Sequence, residues 1–249
     1  MIKLILAFIL VLFSSTCYAD ITSGLVGWWK FDEASSGTCA GASVMDASGS
    51  GNTGTCVNSS TYGTGKIGPG AMSFDGSTQY VDMGDMNATE SIGVLTVSTW
   101  FYSNPSQSYR TVVSKGYYSS GSWEMRMTRD IEGPTIDCCV VTTNGLHCVA
   151  IGVSNSQWNH VVMVYNGATV SVFKNGVFVS STPQTGNIVN TAVSVMIGQN
   201  GNSGEYFNGQ IDDVRIYNRA LTDTEVAELY QYNLARIGNA HIVNARLGH

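Results

Sequence analysis

The stretch Gly209-Gln-Ile-Asp-Asp-Val-Arg-Ile-Tyr-Asn-Arg-Ala-Leu-Thr-Asp-Thr-Glu-Val-Ala-Glu-Leu229 changes its hydrophobic period halfway along. In the first half, Ile211, Val214, Ile216 and Tyr217 are β-formers that follow a Gly, which reads as a strand. In the second half, Thr222 is suited to cap a helix, and Glu225, three residues on, completes a capping box. Val226, Leu229 and Tyr230 then recur at helical spacing. A strand therefore runs directly into a short amphipathic helix.

Upstream, the chain reads as strands joined by short turns. Leu25-Val-Gly-Trp-Trp-Lys-Phe-Asp32 is the first, and Ala34 to Asn58 is loop-rich. Ala71–Asp75 and Gln79–Asp82 flank a Gly-Ser turn, and Leu95–Tyr102 is a longer strand. Arg110–Lys115 and Trp123–Thr128 follow; in the latter Trp123, Met125 and Met127 share one face, Glu124 and Arg126 the other. Thr135–Val141 and Leu146–Ile151 flank a hairpin turn. Trp158–Tyr165, Thr169–Phe173, Val177–Ser180 and Val193–Gly198 complete the set, with Asn175-Gly176 as a hairpin signal. About a dozen strands, with no helical period before Thr222, predict an all-β fold: a two-sheet antiparallel jelly-roll sandwich with a short C-terminal helix.

In this order the motifs resemble the laminin-G-like jelly rolls of the concanavalin A-like lectin and glucanase superfamily. The likeness is carried by the first strand, Phe74-Asp-Gly followed by Tyr80-Val, the long strand containing Trp100, Trp158-Asn-His-Val, and the closing strand and helix. It covers roughly Gly24 to Tyr232. The resemblance implies a binding fold that also houses glucanases, and calcium sites are common in its members.

The first nineteen residues read differently. Met1-Ile-Lys3 is basic, Leu4 to Phe13 is nearly all apolar, and Ser14 to Ala19 is small and polar. That is a signal peptide over 1–19, cut before Asp20, and it predicts a secreted or periplasmic protein with no transmembrane segment after cleavage. The domain then spans 20–232, and 233–249 is a tail carrying Arg236, Arg246, His241 and His249 without an acid. Charged residues make up only 12% of the chain, and the net charge of −6 becomes −7 once Lys3 is removed. An acidic, weakly charged surface argues against nucleic acid and anionic membranes as partners.

Catalytic motifs are missing from the sequence. Glycoside hydrolysis uses two carboxyls across the scissile bond, and no Glu-x-Asp-x-Glu strand supplies them. There is no Gly-x-Ser-x-Gly elbow, and His160 reads as a structural histidine in a core-like strand. Asp46-Ala-Ser-Gly-Ser-Gly-Asn52 matches the front half of an EF-hand loop, but Val57 stands where the bidentate Glu belongs. With Asp32 and Asp213 brought in from other strands, Asp46 and Asn52 are the candidate ligands of a structural calcium ion; the alternative is that they make turns and that Asp213 pairs with Arg215.

After cleavage five cysteines remain, and export favours disulfides. If Thr142–Gly145 forms a four-residue loop, Val141 faces Leu146 and Cys139 faces Cys148, about 4.5–5.5 Å apart. Cys39 and Cys56 then close the early loop, and Cys138 is the odd thiol. A two-residue Asn144-Gly145 turn would instead set Val141 against Cys148.

Loop aromatics supply the remaining site. Tyr117 and Tyr118 stand in a Ser/Gly-rich loop with no core to enter, Arg110 heads the strand that feeds it, and Tyr102, Tyr109 and Tyr206 also flank loops. Aromatic faces beside polar groups suit sugar stacking. The expectation is a secreted non-catalytic module that binds carbohydrate or glycoprotein through Arg110, Tyr117 and Tyr118. The alternatives are an adhesive or structural protein-interaction module and a diverged glycan-cleaving enzyme.

Overall fold

A computed structural model describes residues 20–41, 43–105, 109–116, 120–130, 133–201 and 205–246, excepting the side chains of 129–130 and 238–246. The segment 1–19, read from the sequence as a signal peptide, lies outside the described residues. The early part of the chain forms β1 (Leu25–Trp29), β2 (Gly37–Cys39), β3 (Ser43–Val44), β4 (Gly54–Val57), β5 (Ser60–Thr64), β6 (Gly70–Asp75) and β7 (Tyr80–Asp82). Longer strands follow: β8 (Leu95–Ser103), β9 (Arg110–Lys115), β10 (Trp123–Asp130), β11 (Gly133–Thr142), β12 (Gly145–Gly152), β13 (Trp158–Tyr165), β14 (Thr169–Lys174) and β15 (Val177–Pro183). The chain closes with β16 (Val195–Ile197), β17 (Asn208–Tyr217) and α1 (Asp223–Arg246).

These elements build the expected sandwich. One sheet runs β15-β14-β13-β8-β17-β6-β5-β2, with β1 beside β17; the other runs β12-β11-β10-β9-β16-β7-β4-β3. All the strand pairings are antiparallel. The loop-rich region from Ala34 to Asn58 contributes short strands at the far edges of both sheets. Its Gly and Ser residues carry little β-propensity, so pairing with β5 and β7, rather than local preference, orders it.

The core lies between the sheets. Trp123, Met125 and Met127 of β10 are at most 1% exposed and point into it, so Glu124 and Arg126 face outward as the strand period requires. On β13, Val161 and Met163 enter this core, whereas Val162 and Val164 point the other way. The second set is also buried because α1 forms a third layer over the first sheet. Val226 and Leu229 of the helix pack on Val162, Val164, Phe173, Tyr217 and Leu221. Burying each of those helix side chains stabilises the layer by roughly 1.5–3 kcal/mol.

The helix starts where the sequence places it. Glu225 N–H donates to Thr222 Oγ1 at 3.2 Å, and Thr222 N–H donates to Glu225 Oε2 at 2.8 Å, the reciprocal bonds of a capping box. The helix continues past Tyr232 to Arg246, 24 residues in all. At the other end of the layer, Asn175 and Gly176 both have positive φ, 52° and 79°, as a two-residue hairpin turn requires. A Cβ on Gly176 would stand 2.9 Å from the Cβ of Tyr230, so this turn also lets the helix approach the sheet.

Two disulfides tie the sandwich. Cys39–Cys56 joins β2 of one sheet to β4 of the other. Cys139–Cys148 crosses the β11–β12 hairpin, where Val141 is opposite Leu146 and Thr142 opposite Gly145. Cys138 points into the core as a buried thiol, and burial pushes its pKa up.

Candidate functional site

The outer face of the second sheet is polar, and much of it is buried. Across its strands, register places Cys148, Cys139, Glu124, Ser114, Met196, Asp82 and Thr55 in one row. Arg126 and Asp137 stand opposite each other in the next row. Arg126 is 5% exposed; its Nη1 lies 3.6 Å from Glu205 Oε2 and 3.9 Å from Glu124 Oε1. Asn200 Nδ2 donates to the same Glu205 oxygen at 2.9 Å, and Thr111 N–H donates to the Glu205 carbonyl at 3.0 Å. Glu205 is thus held down onto β9 and β10. Burial pushes the Glu124 carboxyl up to about 7, against the pull of Arg126. Burial likewise raises Asp137, although Thr128 donates to it at 3.0 Å.

Tyrosines edge this face. Tyr109 is 58% exposed, with φ of 54°, and its ring centroid lies 5.5 Å from the Arg126 guanidinium. Tyr206 follows Glu205 and meets Tyr80 with ring centroids 6.3 Å apart. Arg110, next to Tyr109, donates from Nη1 to the Gly76 carbonyl at 3.3 Å, fastening the Asp75–Gln79 turn to β9. Tyr117 and Tyr118, expected to join Arg110, lie outside the described residues. The residues missed from sequence are Glu124, Arg126, Asn200, Glu205 and Tyr80. A signal did exist: two opposite charges share one face of a strand whose other face is Trp and Met.

The acids considered for calcium are placed around Trp28. Asp46 Oδ1 accepts from the Trp28 and Ser48 backbone N–H at 3.0 and 2.8 Å, and Oδ2 accepts from Asn52 N–H at 2.9 Å. The Asn52 side chain donates to the Val26 carbonyl at 2.6 Å. Asp213 sits at a bulge in β17, with φ of 46°, and accepts from the Trp28 indole at 2.7 Å. Arg215 Nη2 pairs with Asp213 at 3.1 Å, and Arg236 of α1 lies 3.2 Å from Asp32 and 3.6 Å from Asp213. Burial, the largest influence, raises the Asp32 pKa despite Arg236. Among the described residues, no three His, Cys, Asp or Glu side chains gather as a metal site would need. Asp46 and Asn52 instead hold a turn, and Asp32 and Asp213 hold arginines; these four do not fit a calcium cage.

A serine–histidine pair is present but enclosed. Ser98 Oγ and His160 Nε2 share a 2.9 Å hydrogen bond, both residues are fully buried, and Tyr230 of α1 stacks on the imidazole at 5.7 Å. Trp100 stacks on the same ring at 5.0 Å. Burial holds the His160 pKa down to about 3, so the ring is a neutral packing element beneath the helix.

Comparison with known proteins agrees with this architecture. A laminin-G-type family profile, described as the concanavalin A-like lectin/glucanases superfamily, matches residues 75–227, more than half of the chain. Usherin of Homo sapiens is 31% identical over 87 residues, which are 32% of this chain and 2% of usherin. The chain thus spans about 2% of the length of that curated relative. Domain 4 of AbnA, a GH43 extracellular arabinanase from Geobacillus stearothermophilus solved in complex with arabinotriose, superposes with a TM-score of 0.64 at 21% identity. That match covers 83% of this chain and 98% of the domain. The binding domain of Paraclostridial Mosquitocidal Protein 1 gives a TM-score of 0.68 at 13% identity, over 84% of this chain and 52% of that one. At such identities these structures show a shared fold. No helix among the described residues is long and apolar enough to cross a membrane.

Proposed function

Since the chain belongs to the concanavalin A-like lectin/glucanases superfamily, we propose that it is an exported, non-catalytic module that binds carbohydrate or the glycan of a glycoprotein. The observation that carries this reading is the tyrosine-edged face over Arg126. Tyr109, Tyr80 and Tyr206 offer ring faces for sugar C–H groups, and a guanidinium held by two glutamates stands 5.5 Å from the Tyr109 ring. Each stack contributes about 0.5–1.5 kcal/mol, and shallow sites of this kind have Kd values from about 10 μM to 1 mM. The arabinotriose bound to the AbnA domain supports a sugar as ligand, and the two disulfides support an oxidising compartment. Glu124 is 1% exposed and set against Arg126 rather than an open cleft, which supports binding without cleavage.

A glycan array tests the proposal, followed by titration of any hit into Tyr109→Ala and the Tyr117→Ala/Tyr118→Ala double variant. Binding should weaken about tenfold in each, because two lost stacks or one stack with its arginine contact amount to about 1.4 kcal/mol. Specific sugar binding that neither variant alters would move the site elsewhere. A second reading, adhesion to protein, has one observation in its favour. Edge strand β15 exposes Val177, Phe178 and Val179 at 66%, 48% and 47%, with no charged residue among them. An array without sugar hits, together with protein capture abolished by Val177→Lys, would favour it.

A further inference from the structure

Lys115, the last residue of β9, lies on the core side of its sheet. Register sets it opposite Trp123 of β10 and Val195 of β16, and residues directly opposite each other share a face. Trp123 and Val195 both belong to the core, and Lys115 is fully buried beside them. Its Nζ donates to the Val193 carbonyl at 2.8 Å and to Asp85 Oδ1.

A second carboxyl meets the same nitrogen. Glu90, whose side chain is also fully buried, brings Oε2 to 3.5 Å from Lys115 Nζ. That oxygen accepts from Ser122 Oγ at 3.2 Å and from Thr191 N–H at 3.1 Å. Glu90 Oε1 is buried with no hydrogen-bond partner among the described residues. The Asp85 side chain differs, being 41% exposed. Two carboxyls therefore face one amine, and among the described residues neither has another ion-pair partner. An amine held against one carboxyl, beside a second with an unmatched oxygen, is what amide condensation needs: nucleophile, electrophile and proton carrier.

We propose that Lys115 and Asp85 condense to an intramolecular amide, with Glu90 relaying the protons. The ammonium and the carboxylate become an amide and one water. The Nζ–Cγ bond forms and a Cγ–Oδ bond breaks. Of the three Nζ protons, one stays on the amide nitrogen, and Glu90 passes the other two to the departing oxygen. No oxidant or further reactant enters, and the water leaves by the exposed side of Asp85. Free amines and carboxylates do not condense appreciably in water, but partners held together react at effective concentrations on the order of 10⁵–10⁸ M. Condensation also abolishes a buried charge whose desolvation is costly. The link spans 30 positions of the chain and fastens β9 to the segment between β7 and β8.

Intact mass spectrometry of the reduced, denatured protein tests this, followed by a tryptic map. Wild type should be one water lighter than its polypeptide, counted from the N-terminus that the map establishes. The map should show the Asp85 and Lys115 peptides joined, with no cleavage after Lys115. Lys115→Met removes the amine and Asp85→Ala the carboxyl, and each should have the full mass of its own sequence. Glu90→Gln keeps both condensing groups without the proton carrier. It should be isolated mostly at full mass, since general acid–base help is worth about 10²–10⁴ in rate. Should the Lys115 and Asp85 variants fail to fold, the wild-type mass and map decide alone. Full mass in wild type would mean a plain ion pair and overturn the proposal. So would a water lost elsewhere, with the two peptides unjoined. Complete linkage in Glu90→Gln would overturn the part given to Glu90.

Discussion

His160 should make the protein acid-labile, and the size of the effect follows from its surroundings. The imidazole is fully buried between Trp100 and Tyr230, with one nitrogen bonded to Ser98 and Nδ1 without a partner. Burial is the main cause that lowers its pKa; Arg215 adds to the lowering and Asp213 opposes it. In the folded protein the ring stays neutral to about pH 3, whereas the unfolded chain takes up the proton below about 6.5. The unfolded state therefore binds more protons between these values, and stability falls as pH falls through that window. Above pH 6.5 the contribution is complete. At pH 5 the loss is about 2 kcal/mol, from about 1.4 kcal/mol for each pH unit in which only the unfolded chain is protonated. The assay is urea unfolding followed by tryptophan fluorescence at pH 7 and pH 5, in wild type and in His160→Phe. The variant forfeits the Ser98 bond and starts from a lower stability, but its loss between pH 7 and pH 5 should be smaller than wild type's by about 2 kcal/mol. Other titrating groups act equally on both proteins, so the difference isolates His160. Equal losses in the two proteins would refute the buried neutral ring.

Glu124 works in the opposite sense. Its folded pKa of about 7 exceeds the ordinary 4.5, so the folded state holds the extra proton and stability declines as pH rises from 4.5 to 7. Glu124→Gln should flatten that decline, worth up to about 3 kcal/mol, in urea melts across the window; an unchanged profile would show the carboxyl to be better solvated than its burial implies. Thr222→Ala removes both side-chain bonds to the capping hydroxyl and should cost about 1 kcal/mol in thermal unfolding; no change would mean that the helix is held by packing alone. Because both Asp46 oxygens already accept backbone N–H groups, melting temperatures in chelator and in millimolar-scale calcium should agree. A clear rise with calcium would return Asp46 and Asn52 to a cation site.

Much of the fold was legible because its signals are local. The capping box at Thr222 and Glu225 needs only a three-residue spacing, and the register of Cys139 on Cys148 needs only the length of the Thr142–Gly145 turn. The outward direction of Glu124 and Arg126 follows from the two-residue strand period. Other features depend on distant partners. Short strands β2 and β4 have little pattern of their own and are ordered by pairing with β5 and β7 further along the chain. Val162 and Val164 read as core but bury themselves under α1, which a single strand's pattern cannot distinguish from the sandwich interior. The acids Asp32, Asp46 and Asp213 do not converge on one point; they are taken up separately by Trp28, Arg215 and Arg236, and a carboxylate's partner is not written in its own neighbourhood. The site around Arg126 was half visible. Its strand residues were placed on the right face, but Glu205 and Asn200 reach it from a part of the chain 70 or more residues away.

Sugar recognition at the tyrosine-edged face is tested most directly by NMR. A glycan that scores on the array should be titrated into labelled protein while the Arg126 Nε–H and the rings of Tyr80, Tyr109 and Tyr206 are observed. These signals should shift together along one saturating curve, with Kd between about 10 μM and 1 mM, while the indole signal of Trp28 stays still. Saturable glycan binding that leaves Arg126 and the three tyrosines unshifted would contradict the account.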